Sequence, residues 1–481
     1  MIKGRRRFWT AVLLTIFCVF HSNPSSGLTV NEENEISREF MTYIFTNYEL
    51  VTDPEIASYI QRIGDRILAN YPPQPFKYQF YVIKNDTYNA FAGPGAQIFI
   101  HTGLFEALDT EDQLAGIIGH EISHSVCRHI SENIARSGKI GLGTLAGVAA
   151  GIFMSIYGDP AAGSALTVGS IAGSQSVALS YSRDDELQAD QMGLQFLTKA
   201  GYSAKGLIEA LNIIRSKQWY GKEQIPAYLT THPALEDRIG FIKNWMDGHP
   251  EKQIPKEPAS DFGFNLIHTK VLALYGDINA AKAQFNGILE KDPDNLFGLY
   301  GMGLVLARSG KMDEAIVNLK KALEKRAFNV VLLKTLGEVY FNTGRYANAQ
   351  NVFEGALSLV PRDYECNLYL GRIMAESGKY EQAIGLLLPF ANEEKGKTWA
   401  YYYLGDIYAR QGEMMESYYH LGLYYRNKKD VKNALIQFER AFKLAEKPEM
   451  KEKIKANIDE LKGQGKKDKK KEEQGKSLLF E

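Results

Sequence analysis

His120-Glu121-Ile122-Ser123-His124 stands inside Glu111 to Arg136, a proline-free stretch with helical apolar spacing. Residues four apart on a helix share a face, so both imidazoles can reach one metal ion while Glu121 leans toward a water on that ion. Zinc lowers the pKa of such a water toward about 7, and a neighbouring carboxylate can take the proton as the oxygen attacks a peptide carbonyl. The pentapeptide therefore predicts a helix built for metal-dependent peptide hydrolysis. Two unrelated histidines on a surface helix are the alternative that the motif alone leaves open.

A catalytic zinc takes three protein ligands and keeps one position open. His129, five residues after His124, has rotated off the ligand face of a continuous helix, and no histidine follows His124 by six. Downstream, Tyr181-Ser-Arg-Asp-Asp-Glu-Leu-Gln-Ala-Asp190 leads into a second amphipathic stretch that ends at Gly201. Glu186 and Asp190 are again four apart. Glu186 can complete a His-His-Glu site, and Asp190 can accept the free N–H of a ligand histidine and fix its tautomer.

H-E-I-S-H followed by Arg128-His129, then E-L-Q-A-D, then Thr231-His232-Pro233 with Arg238, resembles the gluzincin family of the CAAX-prenyl proteases and their bacterial relatives. The segment Asn89 to Leu104 resembles that family's approach to the catalytic helix, and the likeness covers about Asn85 to Ile239. It implies a zincin-type fold with one Zn2+ per chain on His120, His124 and Glu186, Glu121 as base, and supporting contacts from Asp190 and Arg238. It also implies that His232 lies over the metal, either steadying the oxyanion or filling the open position at rest. Without the family, His232 before a proline reads as an ordinary loop histidine.

Gly93-Pro94-Gly95 marks a turn, and the β-rich run after it predicts a strand just ahead of the metal helix. Through Ala96, Gln97, Ile98 and Phe99 that strand is expected to pair with an extended substrate, a mode that reads main chain and tolerates many sequences. A plain core strand is the other reading.

At 481 residues, 45% hydrophobic and 23% charged, the chain is long enough for two or more globular domains. A formal charge of −1 argues against nucleic acid as its main partner. Lys3, Arg5, Arg6 and Arg7 precede an apolar run from Phe8 to Phe20, and small residues follow at Ser25-Ser26-Gly27. The run is shorter than the roughly 20 residues that a bilayer span needs, so 1–27 is expected to be a removed signal peptide. Cys127 and Cys366 then remain, in separate domains, and predict no disulfide framework.

Residues 140–182 are rich in glycine and alanine, and the second half is diluted by serine, threonine and glutamine. One membrane pass would put Glu186 on the wrong side of a bilayer from His120, whereas a membrane hairpin of two passes would not and stays open as an alternative. A helical hairpin packed beside the active site is expected, with peripheral contact to a membrane surface as the intermediate case.

A proline-rich break at His249 to Pro258 separates the expected peptidase domain, 28–255, from a different architecture. Gly276, Gly310, Gly344, Gly378 and Gly412 recur every 34 residues, with Ala281, Ala315, Ala349, Ala383 and Ser417 five residues later. Gly303, Gly337, Gly371 and Gly405 stand seven before the last four. This is the tetratricopeptide pattern of paired helices in close approach, placed at 256–447, with an out-of-phase helix pair around Gly422 and Ala434. Stacked repeats form a surface that binds proteins, and Tyr401 to Tyr403, Tyr418, Tyr419, Tyr424 and Tyr425 crowd its last units. The charged tail, 448–481, is expected to be disordered.

The chain is thus expected to be mainly α, a zincin-type peptidase with a small sheet followed by an α-solenoid. The expected function is that of a zinc endopeptidase whose repeats recruit protein clients. The resemblance implies that these are misfolded or unassembled outer-membrane proteins in a Gram-negative periplasm. The alternative is a chaperone or assembly scaffold with an idle metal site.

Overall fold

The computed structural model describes residues 28–136, 181–220, 227–249, 258–391, 393 and 397–477. It falls into two compact units, Met1–Asp261 and Phe262–Glu481. The expected signal segment, 1–27, and nearly all of 140–182 lie outside the described residues. No described helix is long and apolar enough to cross a membrane.

In the first unit, α1 (Val30–Asn47) begins at Thr29, whose side chain accepts from Glu32 N while Glu32 reaches back to Thr29 N. Helix α2 (Pro54–Leu68) starts on Asp53 with proline at its first position. Three strands follow, β1 (Gln79–Ile83), β2 (Ala90–Gly93) and β3 (Gln97–His101), then α3 (Thr102–Ala107). The sheet order is β1-β3-β2, with β3 parallel to β1 and antiparallel to β2. Phe40 of α1 meets Phe99 edge to face, and Phe91 and Tyr81 stack on Phe99, closing the core over this sheet.

The sheet order corrects the substrate-strand expectation. Both edges of β3 are already paired, so Gln97, Ile98 and Phe99 have no ladder groups left for a substrate, and Ile98 and Phe99 are fully buried. Ala96 lies before the strand at a φ of 61°. The outer strands of the sheet are β1 and β2, and β2 packs against the metal-bearing helix.

That helix, α4 (Glu111–Val126), is the hub of the unit. It packs on β2, β3 and α2, and on α6 (Arg183–Lys199) and α7 (Lys205–Tyr220); α5 (His129–Arg136) follows directly after it. The unit closes with α8 (Ala227–Thr231) and α9 (Leu235–Gly248). Close approach to α4 depends on small residues. A Cβ on Gly206 would come within 2.3 Å of Asp112 O, and one on Gly116 within 2.8 Å of Leu207 Cα.

The second unit is helical throughout: α10 (Pro258–Tyr275), α11 (Ile278–Lys291), α12 (Leu296–Arg308), α13 (Met312–Lys325), α14 (Val330–Asn342) and α15 (Tyr346–Leu359). It continues with α16 (Tyr364–Glu376), α17 (Tyr380–Ala391), α18 (Thr398–Gln411), α19 (Met414–Asn427), α20 (Val431–Leu444) and α21 (Pro448–Ser477). The 34-residue period shows directly in the packing. A Cβ on Gly303, Gly337, Gly371 or Gly405 would strike Leu319, Phe353, Leu387 or Leu421 of the partner helix at 2.7 to 2.9 Å. Gly310, Gly344, Gly378 and Gly412 each take a positive φ at the turn between helices. Helix α19 packs on both α18 and α20, so it is shared between the fifth repeat and the out-of-phase pair.

Two further expectations meet the structure here. Tyr401 and Tyr419 are buried, Tyr401 donating to Ala391 O, whereas Trp399 and Tyr402 remain exposed. The tail does not begin as disordered chain at residue 448. Helix α21 starts there, and Ile454, Ile458 and Leu461 bury an apolar stripe at i, i+4, i+7 spacing in the same cluster as Phe438 and Ala441 of α20.

Gly206→Ala should destabilise the first unit by about 1–3 kcal/mol, since the added methyl meets backbone that cannot yield. Gly240→Ala, exposed in mid-α9 with open space around it, should instead gain about 0.5–1 kcal/mol. Thermal unfolding of the two variants checks the contrast.

Candidate active site

Three helices and one loop converge on a buried pocket of polar side chains. Thr110 caps α4 by accepting from Gln113 N, and the helix it starts is buried from Glu111 to His124, with His120, Glu121 and His124 in its last buried turns. A capping box between Ser182 and Asp185 starts α6 and sets Glu186 and Asp190 against α4. Gly193 allows this approach, for a Cβ there would lie 3.3 Å from Gly119 O. His232 follows α8, and Arg238 comes from the first turn of α9.

His120, His124, Glu186 and His232 each present one donor atom, and these atoms lie within 4.8 Å of one another, all buried. His120 Nε2 is 2.9 Å from His124 Nε2, and Glu186 Oε1 is 3.3 Å from His124 Nε2. His232 Nδ1 lies 2.9 Å from Glu186 Oε1 and 3.4 Å from His120 Nε2, inside the same cluster. Tyr181 stacks on His124 at 3.7 Å and Tyr228 on His232 at 4.2 Å, so both rings are held flat.

Behind the cluster lies a fixed charge network. Asp190 Oδ1 is 2.8 Å from His120 Nδ1, which directs that nitrogen's proton to the carboxylate and leaves Nε2 as a bare donor. Arg238 clasps Asp190 through two contacts of 2.8 Å and reaches Glu186 Oε2 at 2.7 Å. Burial acts to raise the Glu186 carboxyl, but Arg238 and the histidines hold it well below the usual carboxylate range; Asp190 is lowered in the same way. Burial pushes the Glu121 carboxyl up. It also pushes His124 well below the usual imidazole range.

The residues fit a bound divalent metal on two independent grounds. First, the three carboxyl groups of Glu121, Glu186 and Asp190 are fully buried around one fixed cation, Arg238, an excess of acidic groups that a divalent cation would offset. Second, both oxygens of Glu121 and Nε2 of His232 are buried without a hydrogen-bond partner, with Glu121 Oε1 and His232 Nε2 3.5 Å apart, and polar atoms buried in this way are costly unless a further ligand satisfies them. An N2O donor set with a further histidine suits zinc chemistry.

Of the residues singled out from sequence, the structure gathers His120, Glu121, His124, Glu186, Asp190, His232 and Arg238 in one place. Ala96 to Phe99 are not part of it. Sequence reasoning gave no role to Tyr181, Tyr228 or Gln188, and placed His129 off the ligand face. Their positions depend on chain returning from far away, or on a helix break, and neither leaves a spacing signal.

Arg238→Met should destabilise the first unit by about 3–5 kcal/mol, because two buried carboxylates lose their cation. The depressed carboxyls stabilise the parent above about pH 4, and that contribution fades as pH falls through their folded values. In metal-free protein the variant should show the opposite sign, since burial without the guanidinium raises these carboxyls and stability should then fall as pH rises from 4 toward 7, as denaturation across pH 3 to 7 would reveal.

Residues 52–246 match the model of Peptidase family M48, and residues 343–396 and 416–448 match tetratricopeptide repeat models. The chain is 27% identical over 331 residues to the beta-barrel assembly-enhancing protease of Yersinia pestis, covering 68% of this chain and 67% of that protein. It is 25% identical over 390 residues to the protein of the same name in Escherichia coli strain K12, covering 79% and 77%. The mitochondrial metalloendopeptidase OMA1 of Schizosaccharomyces pombe is 30% identical over 204 residues, covering 42% of this chain and 55% of that one. With its donor cluster inside the span that matches Peptidase family M48 and its helical repeats after it, the chain is a metallopeptidase whose catalytic domain is similar to that family, joined to tetratricopeptide repeats.

Proposed function

We propose that this chain is a zinc-dependent endopeptidase of a bacterial cell envelope, cleaving misfolded or unassembled outer-membrane proteins that its repeats recruit. The observation that carries the reading is the buried donor cluster with the Glu121 carboxylate at its edge, 3.5 Å from His232 and making no hydrogen bond. The names of the bacterial relatives support the choice of client and compartment. Protein-binding repeats on the same chain support delivery by capture.

His120, His124 and Glu186 would hold one zinc, which supplies Lewis acidity to the scissile carbonyl and to the attacking water. Glu121 accepts the proton of that water and returns it to the leaving amine. Asp190 and Arg238 hold His120 and Glu186 in place. The substrate main chain adds along the open edge of β2, Ala90–Gly93, which lies against α4. His232 Nδ1 already stands among the donor atoms, which favours its filling the open position at rest over steadying an oxyanion. The N-terminal segment 1–27 acts as the export signal, and 140–182 supplies peripheral membrane contact.

Glu121→Gln keeps shape and cannot take the proton, so it should retain metal and fold while cleavage of an unfolded client falls by about 10²–10⁴. Undiminished cleavage would remove Glu121 from the chemistry. Unchanged envelope phenotypes in a strain carrying only this variant would favour the scaffold function instead. His232→Ala should raise unregulated proteolysis and self-cleavage; a fall in both would assign it to the oxyanion.

A further inference from the structure

His129 is almost fully buried, and the metal reading leaves it without a task. On a continuous helix it would face away from His124. Helix α4 instead ends at Val126, and Arg128 takes a φ of 58°, a left-handed conformation that residues with a Cβ rarely adopt. Arg128 is pinned there by Glu33 Oε2 at 2.6 Å and Leu28 O at 2.6 Å. A backbone strained in this way at the edge of a site, and tied down from another element, suggests that the break has a use.

Its effect is to swing His129 back under the catalytic helix. His129 Nδ1 comes to 2.9 Å from His124 Nδ1, and His129 Nε2 lies 2.9 Å from Gln188 Oε1 on α6. The carbonyl oxygen of Gln188 can only accept, so His129 carries its proton on Nε2. Its Nδ1 is then an acceptor, and His124 must donate from Nδ1. That leaves the His124 Nε2 lone pair bare, on the side facing His120 and Glu186.

We infer that His129, oriented by Gln188, is a positioning residue that fixes the tautomer of His124 for metal binding. It does for the second histidine what Asp190 does for the first. The two partners differ: His120 leans directly on a carboxylate, whereas His124 leans on an imidazole whose other nitrogen faces Gln188 Oε1 and, at 3.8 Å, Asp185 Oδ1.

The inference rests on the proposed metal site, and the test separates the two. Zinc affinity is measured by competition with a chromophoric chelator on the full chain, together with the melting temperature of the metal-free protein. The parent should bind one zinc; if it does not, the metal reading fails first. His129→Phe keeps the packing and loses the acceptor, and should weaken zinc binding about 10–100-fold. His129→Asn places an amide oxygen near the former Nδ1 and should recover most of that loss at a similar metal-free melting temperature. Should His129→Phe fail to fold, Gln188→Met decides, with an expected several-fold weakening. Parent-like zinc affinity in the variant that decides, or equal losses in the Phe and Asn variants, would overturn the inference.

Discussion

The guanidinium of Arg238 is the contact on which the site depends. It sits inside the first unit, bonds both Asp190 and Glu186, and lies against His120, which Asp190 also contacts. Without it, three buried carboxylates would repel one another and shed their charge by taking protons. With it, two are kept ionised and correctly turned, and only Glu121 is left able to exchange a proton. Three helices, α4, α6 and α9, are therefore locked together by the same group that tunes the chemistry, which makes folding of this unit and preparation of the site one event.

Part of this was legible in the chain and part was not. His120, Glu121 and His124 lie on one helix, where spacing alone dictates a shared face. Glu186 and Asp190 could be paired with them because their own four-residue spacing matched a site that lacked one ligand. His232 and Arg238 rested on family likeness, since a loop histidine before a proline carries no geometric signal. The 34-residue glycine period was readable because each repeat solves the same packing problem in the same way: a small residue where a Leu or Phe of the partner helix presses in.

The failures have equally specific causes. The run Ala96 to Phe99 looked like a substrate strand because it is β-rich and precedes the metal helix. Composition cannot say which strand of a sheet lies at its edge, and here the short, small-residue strand Ala90–Gly93 takes the outer place. The lysines of the tail mask Ile454, Ile458 and Leu461, which stand at helical spacing among them. His129 was set aside by assuming a continuous helix, and a single left-handed residue at Arg128 reverses the conclusion.

The central claim is that one zinc is held by His120, His124 and Glu186, and the most direct measurement is a crystal structure with anomalous data collected on both sides of the zinc absorption edge. The account predicts a single strong peak about 2.0–2.2 Å from His120 Nε2, His124 Nε2 and a Glu186 oxygen, with Asp190 and Arg238 outside bonding distance. A peak that lacks Glu186 as a ligand, or a purified chain whose pocket carries no anomalous signal after loading with zinc, would contradict it.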